Sequence, residues 1–165
     1  NKCIALFDTM VAQHTAPEMV AVLAHEVGHY KKKHVLQGTI VGVIHTGVLF
    51  FLLSLFMDSP GLYQAFHMSE ESIYAGLLFF GLFYTPIELV LSIIMQMVSR
   101  KNEYEADRFA AETIDEPRNL IEALKKLSAT NLSNLTPHPF YVFLSYSHPP
   151  LMQRIQAIQD IKHKN

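Results

Sequence analysis

The sequence predicts a mostly α-helical protein in which a hydrophobic helical hairpin interrupts a more polar domain. Half of the 165 residues are apolar and only 17% are charged, against about a quarter in a typical soluble domain. The apolar residues are concentrated in residues 39–57, which contain no charged residue, and in residues 73–98, which contain only Glu88. Elsewhere, apolar residues recur at the three- and four-residue spacing of amphipathic helices.

The composition excludes several classes of protein. A chain this rich in apolar residues is neither intrinsically disordered nor collagenous, and its formal net charge of -2 gives no basic surface for nucleic acid. Cys3 is the one cysteine, so an intramolecular disulfide and cysteine-based zinc motifs are excluded. The chain begins at Asn1 without a signal-peptide pattern, and we expect it to be a fragment or a processed product.

The N-terminal region predicts a short strand followed by a helix. Residues 4–7 are an apolar run that favours a strand. Thr15 and Glu18 match a capping box with Thr15 as the N-cap, and Pro17 suits the first helical turn. A helix is therefore predicted over residues 15–34, and its apolar residues are Met19, Val20, Leu23, Ala24 and Val27.

The two apolar stretches predict a transmembrane hairpin over residues 38–98. They contain 19 and 26 residues, and a helix of about 20 residues crosses a hydrocarbon core of about 30 Å. Pro86 is expected to kink or break the second span. The alternative is a pair of buried core helices in a soluble protein, although most core helices are shorter than these stretches.

Charged residues beside the spans predict the orientation of the hairpin. Lysines at positions 31–33 precede the first span, and Arg100 and Lys101 follow the second, whereas the connecting loop over residues 58–72 contains no Lys or Arg. By the positive-inside rule, both outer ends and the polar segments attached to them lie in the cytoplasm.

The polar part of the chain after the hairpin predicts further helices. Residues 99–112 form a charged helix, and residues 116–162 contain two amphipathic helices joined by a polar connector over residues 129–139. The predicted apolar faces of the two amphipathic helices are Leu120, Ile121, Leu124 and Leu127 in one and Leu151, Ile155, Ile158 and Ile161 in the other.

His25, Glu26 and His29 form the motif H-E-x-x-H within the first predicted helix. Histidines four residues apart project from one helical face and can bind the same metal ion. Glu26 lies one residue round the helix, where its carboxylate can act on a water molecule without being a ligand. The motif therefore indicates a catalytic zinc site.

A catalytic zinc site needs a third protein ligand and one open position, and Glu103 is the best candidate for the ligand. Asp107 is four residues further on and shares its helical face, so it can accept a hydrogen bond from a ligand histidine. Glu105 is predicted to point away from Glu103. The alternative is a solvated acidic helix, because basic residues lie among these carboxylates.

The order of four motifs resembles the M48 family of zinc peptidases, and more narrowly the Ste24 type of CAAX prenyl protease. The motifs are NKCIALFDTM, HEVGH, EYEAD and YSHPP, with the hydrophobic hairpin between the second and the third. The resemblance covers nearly the whole chain. It implies a single domain over residues 1–165, with a gluzincin-like zinc peptidase core, a short N-terminal strand and an inserted transmembrane hairpin. It also implies that the chain is the C-terminal portion of a larger membrane enzyme.

The resemblance implies a ligand set and a catalytic base. One zinc ion per chain is bound by His25, His29 and Glu103, and Glu26 takes a proton from the attacking water and delivers it to the leaving amine.

The resemblance implies further roles around the zinc site. Asp107 supports a ligand histidine, His148 stabilises the tetrahedral intermediate, and Arg154 helps to organise the cleft. The predicted strand over residues 4–7 could pair with an extended substrate.

The implied substrate is a peptide or protein with a prenylated C-terminal cysteine, from which the last three residues are removed, and the implied surroundings are a lipid bilayer. The membrane would be the endoplasmic reticulum in a eukaryote or the inner membrane in a bacterium. Two alternatives remain open: a membrane-protein quality-control protease with the same catalytic residues, and a non-catalytic membrane scaffold.

Four further histidines are predicted to be surface or helix-packing residues: His34, His45, His67 and His138. Glu88 lies within a predicted span, where a carboxylate must face protein or water. It either lines a functional cavity or makes a structural hydrogen bond.

Overall fold

The computed structural model describes residues 8–68, 70 and 72–162, and the regular secondary structure within these ranges is entirely helical. The helices are α1 (Asp8–Gln13), α2 (Ala16–Lys31), α3 (His34–Met57), α4 (Pro60–Ala65), α5 (Ile73–Thr113), α6 (Arg118–Thr130), α7 (Pro139–Ser145) and α8 (Leu151–Lys162). The prediction of a mostly α-helical chain is confirmed. The predicted strand over residues 4–7 lies outside the described residues.

Helix α2 begins with the predicted capping box. The Thr15 hydroxyl accepts a hydrogen bond from the backbone N–H of Glu18 at 3.4 Å, and the Glu18 carboxylate accepts one from the backbone N–H of Thr15 at 2.9 Å. The same carboxylate accepts from Nζ of Lys126 on α6 at 2.7 Å. The hydrogen bond from Lys126 and the one from Thr15 together hold the pKa of Glu18 below its usual value. One residue therefore both caps α2 and joins it to α6.

The chain divides into two compact units, one formed by residues 1–34 and 95–165 and the other by residues 35–94. We call these the polar unit and the hairpin unit. Helices α3 and α5 are long and apolar enough to cross a membrane. In the most apolar stretch of α3 no residue is buried, and in that of α5 only 17% are. Core helices of a soluble protein would be mostly buried, so this exposure favours the membrane interpretation.

A polar cluster lies inside the hairpin unit. Nε2 of His45 lies 2.9 Å from Oε2 of Glu88, and the Tyr84 hydroxyl lies 3.1 Å from the same nitrogen. Glu88 thus makes a hydrogen bond between α3 and α5, which supports the structural interpretation of this carboxylate. Polar groups in a membrane are expected to satisfy each other in this way.

Helix α5 is continuous across Pro86, so the break that was one of the two expectations for this residue is absent. Proline removes one backbone donor, yet membrane helices tolerate it because nearby hydroxyl groups bond to the backbone. The Thr85 hydroxyl donates to the carbonyl of Gly81 at 2.6 Å, next to the Leu82 carbonyl that loses its helical donor at Pro86.

The core of the polar unit combines small residues of α2 and α5 with larger residues of α6 and α8. Its buried members are Ala21, Ala24, Ala110, Ala111, Leu120, Ile121, Leu124, Ile155 and Ile158. The buried positions of α6 and α8 are among those predicted from helical spacing. On α2, however, Val20 and Val27 remain exposed, because the face that carries the two motif histidines is the one that packs against α5.

Two other segments differ from the sequence prediction. The helix expected to begin by residue 116 starts at Arg118, since the residue before Pro117 is disfavoured in a helix. Between the predicted polar connector and the last helix, the structure contains α7, which has Pro139 in its first turn. The ring nitrogen Nδ1 of His138 caps this helix by accepting from the backbone N–H of Phe140 at 3.2 Å.

Gly28 lies at a point of close approach between α2 and α5. A Cβ atom on Gly28 would lie 3.1 Å from both Cα and O of Ala106 and 3.2 Å from Cβ of Phe109. Two of these three atoms belong to the backbone and cannot rotate away. The sequence therefore needs glycine here to keep the two helices at this distance.

We expect Gly28→Ala to destabilise the full-length protein, because the added methyl group would force α2 away from α5 at a cost of about 1–3 kcal/mol. The matched control is Gly47→Ala, where a Cβ would meet nothing within 4 Å and alanine should favour the helix by about 0.5–1 kcal/mol. Thermal unfolding in EDTA measures both variants. A melting temperature for Gly28→Ala at or above that of Gly47→Ala would contradict the close-approach argument.

Candidate metal centre and active site

Three side chains from α2 and α5 converge on one point of the polar unit. Nε2 of His25 and Nε2 of His29 are 3.1 Å apart, and the two carboxylate oxygens of Glu103 lie 3.7 Å from His25 and 3.4 Å from His29. Zinc with nitrogen and oxygen ligands at about 2.0–2.2 Å in a tetrahedron needs donor atoms roughly 3.3 Å apart. One ligand atom from each residue lies within 4.8 Å of the other two, so the donor set fits a zinc ion held by three protein ligands.

Asp107 lies behind His25, on the side away from the other donors. Its Oδ1 atom is 2.9 Å from Nδ1 of His25, a distance short enough for a charge interaction but without the alignment of a hydrogen bond. Only 1% of Asp107 is exposed. With Nδ1 facing Asp107, the ring of His25 presents Nε2 to His29 and Glu103, which is the orientation that a metal ligand requires.

Arg154 on α8 ties the two carboxylates together. Its Nε and Nη2 atoms donate to the two oxygens of Asp107 at 2.7 and 2.6 Å, and Nη1 lies 3.3 Å from Oε2 of Glu103. Such two-pronged guanidinium–carboxylate pairs are strong and fix orientation. Arg154 therefore offsets part of the buried negative charge and holds both acidic side chains in place.

The charges around these residues keep the carboxylates ionised. Burial raises the pKa of Glu103, but the hydrogen bond to His29 and the charge of Arg154 outweigh it, and the pKa lies below its usual value. For Asp107, burial is likewise outweighed by the two hydrogen bonds from Arg154 and by the contact with His25, so its pKa is also lowered. The hydrogen bond to Glu103 raises the pKa of His29. Cations are thus favoured at this point, whether protons on the imidazole or a metal ion.

His148 lies in the loop between α7 and α8, at the edge of the same cluster. Its Nε2 atom is 3.5 Å from Oε1 of Glu103, and its Nδ1 atom is 2.9 Å from the Ser147 hydroxyl. The side chain is 64% exposed. Arg100 on α5 donates to the backbone carbonyls of Val142 and Tyr146, which anchors the end of α7 from which this loop departs.

A cavity of about 660 Å³ opens beside His148 and Arg154. Its wall combines apolar residues such as Leu124 and Leu127 with polar ones such as Ser128 and Asn131. A space of this size and composition can accept a short stretch of peptide.

Glu26 is exposed on α2, next to His25 in the sequence. Its negative charge contributes to the raised pKa of His29 through electrostatic attraction. Six of the seven predicted site residues are joined by side-chain contacts of 3.7 Å or less: His25, His29, Glu103, Asp107, His148 and Arg154. Glu26 is related to them by its place on the helix and by its charge.

His34, which was predicted to be a surface or helix-packing residue, packs against the cluster. His34 is buried, its Nδ1 atom lies 3.0 Å from Nδ1 of His29, and its Nε2 atom lies 3.3 Å from Oε2 of Glu105. The predicted divergence of Glu105 from Glu103 holds, since Glu105 contacts His34 and Lys101. No sequence signal pointed to His34, because it follows the end of α2 and reaches His29 only through the turn at Lys33.

The chain is similar to known proteins that share one name. The chain is 32% identical over 179 residues to "CAAX prenyl protease 1" of Saccharomyces cerevisiae and 36% identical over 169 residues to "CAAX prenyl protease 1 homolog" of Oryza sativa, with 99% of the chain and 39% of each relative covered. The crystal structure of S. mikatae Ste24p matches with a TM-score of 0.78 and 35% identity, over 93% of this chain and 38% of that one.

The chain thus spans about two fifths of the length of the curated relatives that it matches. The model of the family described as "Peptidase family M48" matches residues 1–162, which is nearly the whole chain. With this match, and with its candidate metal ligands gathered at one point, the chain belongs to peptidase family M48.

Proposed function

We propose that the full-length protein is a membrane-embedded zinc metalloendopeptidase that acts like the CAAX prenyl proteases. The observation that carries the proposal is the triangle of His25, His29 and Glu103, whose donor atoms have the spacing of a tetrahedral zinc site. Asp107 and Arg154 support this triangle from behind. A non-catalytic scaffold would have no need for three aligned donors and a buried supporting network.

We propose that His25, His29 and Glu103 hold one zinc ion per chain. When bound, zinc supplies a Lewis acid that polarises the scissile carbonyl and lowers the pKa of a water molecule towards about 7. Two carboxylates and one guanidinium give the network of Glu103, Asp107 and Arg154 a net charge of -1, so a divalent cation would leave it at +1. The excess positive charge would favour a negatively charged nucleophile.

Glu26 is the proposed general base and acid. Its carboxylate accepts a proton from water as the water oxygen attacks the carbonyl carbon of the substrate, and it then delivers that proton to the amine as the C–N bond breaks. Its exposed position beside His25 leaves it accessible to both the water and the substrate.

His148 is the proposed stabiliser of the transition state. As a donor of one N–H at the cluster edge, it would form a hydrogen bond that strengthens while negative charge develops on the carbonyl oxygen. Arg154 organises the cleft by fixing Glu103 and Asp107, and the neighbouring 660 Å³ cavity would accept residues of the peptide.

The relatives support a substrate class. Two of them are named CAAX prenyl protease 1 or its homologue, and we propose that this protein likewise removes the three C-terminal residues of proteins with a prenylated cysteine. The alternative substrate class is damaged or misfolded membrane protein, which would be cut by the same catalytic residues.

We further propose that α3 and the apolar part of α5 span a lipid bilayer as a hairpin, with the polar unit in the cytoplasm. The support is the exposure of their apolar residues and the placement of lysine and arginine residues outside the connecting loop. In a eukaryote the membrane would be the endoplasmic reticulum, and in a bacterium the inner membrane.

We expect Glu26→Gln in the full-length protein to keep one zinc ion per chain and to lose about 10²–10⁴-fold in peptide cleavage, since the amide cannot accept the proton. Metal analysis and cleavage of a CAAX peptide are measured on the same preparation. Glu112→Gln, an exposed carboxylate on α5, is the matched control and should cleave at the parental rate. Unchanged cleavage by Glu26→Gln would refute the assignment.

Substrate preference is tested with farnesylated and unmodified forms of one CAAX peptide. Because each buried CH₂ group contributes about 0.8 kcal/mol, we expect kcat/KM to be at least about tenfold higher for the farnesylated form. Equal values for the two peptides would instead support a quality-control protease.

The hairpin is tested by labelling single cysteines in a background from which other cysteines have been removed. A cysteine at Glu70, in the loop between the spans, should react with a membrane-impermeant reagent from the side opposite to a cysteine at Glu112. Reaction of both from the same side of sealed vesicles would defeat the proposed topology.

A further inference from the structure

We infer that His34 and Glu105 form a positioning relay that fixes the ring orientation and tautomer of His29. The inference rests on the zinc site of the proposed function, and it assigns a role to two residues outside the ligand set. The outer ring nitrogens of the two motif histidines contact different kinds of group. Asp107 lies against the outer nitrogen of His25, whereas the imidazole of His34 occupies the same place behind His29.

The contacts form an unbroken line from the donor triangle to the protein surface. Nε2 of His29 faces His25 and Glu103, and Nδ1 of His29 lies 3.0 Å from Nδ1 of His34. Nε2 of His34 then lies 3.3 Å from Oε2 of Glu105. Glu105 also lies 3.7 Å from Nζ of Lys101 at the exposed end of the line.

Only one placement of protons satisfies these contacts when both rings are neutral. A metal ligand needs a lone pair on Nε2 of His29, so the proton of this ring resides on Nδ1. That N–H donates to His34, whose Nδ1 must therefore be the acceptor. The proton of His34 is then on Nε2, from which it donates to Glu105. Each group in the line fixes the tautomer of the one before it.

The backbone is bent to make the first of these contacts. Helix α2 ends at Lys31, and Lys33 adopts a left-handed conformation with φ of 59°, which costs a residue other than glycine about 1 kcal/mol. This turn brings His34 back beneath His29, so that the two ring centroids are 5.0 Å apart and nearly perpendicular. His34 is only 7% exposed, so water has little access to replace it.

The test is zinc affinity of the full-length protein, measured by competition with a chromophoric chelator. His34→Asn places a side-chain oxygen near the position of Nδ1 and can still accept from His29, whereas His34→Leu has greater volume but no acceptor. We expect His34→Leu to bind zinc about 10–100-fold more weakly than the parent and His34→Asn to remain within about threefold of it. A role in packing alone would give the opposite order, because leucine fills the space better.

A second pair of variants probes the far end of the relay. Glu105→Ala should weaken zinc binding by about threefold to tenfold, and Glu112→Ala, an exposed carboxylate on the same helix, should leave it within twofold. This pair lies nearer the surface, so it tests the relay even where substitution of the buried His34 prevents folding. Thermal unfolding in EDTA confirms that each measured variant is folded.

The outcomes separate the relay from the zinc site itself. Stoichiometric zinc in the parent together with unchanged affinity in His34→Leu, or equal losses in His34→Leu and His34→Asn, overturns the relay alone. Equal affinities of Glu105→Ala and Glu112→Ala remove Glu105 from it. A parent protein that binds no zinc rejects both the relay and the proposed function.

Discussion

The approach of α2 to α5, with Gly28 packed against the backbone at Ala106, sets the distances on which the candidate site depends. The motif histidines lie on one helix and the acidic residues on the other, some 74 to 82 positions later in the sequence. A helix separation larger by the width of a methyl group would move His25 and His29 out of reach of Glu103. The alanines that line the same contact, including Ala24 and Ala110, serve the same close packing. The larger members of the buried core cluster, such as Leu120 and Ile158, come from α6 and α8.

The site buries two carboxylates and compensates for their charge with few neighbouring groups. Glu103 and Asp107 are both removed from solvent, and an unpaired buried carboxylate would cost several kcal/mol. The hydrogen bond between His29 and Glu103 and the guanidinium of Arg154, which contacts both acids, together favour the ionised carboxylates. The lowered pKa values of both acids are the result of this balance. An ionised Glu103 is also what a metal ligand requires.

Local sequence patterns predicted most of the helices and identified the residues of the cluster. The remaining features of the fold and the site depend on long-range packing. The capping box of α2, the buried faces of α6 and α8, and the shared face of Glu103 and Asp107 all follow from helical spacing. The roles of Gly28 and His34 do not, because each depends on which helix lies opposite or on a left-handed turn at lysine. The exposure of Val20 and Val27 has the same origin, since the histidine-bearing face of α2 displaces its most apolar face from the core.

The sharing of Arg154 between two acids constrains how this sequence can change over time. Replacing Arg154 leaves two buried carboxylates without their guanidinium partner, which costs about 3–5 kcal/mol, whereas removal of either acid leaves Arg154 in contact with the other. Simultaneous neutral replacement of all three residues would avoid that cost. A stepwise change that begins at Arg154, however, passes through a destabilised protein. Residues so coupled are expected to change in concert or not at all. Substitutions at Asp107 and Arg154 are therefore expected to be non-additive in the free energy of unfolding, although the two residues are 47 positions apart in the chain.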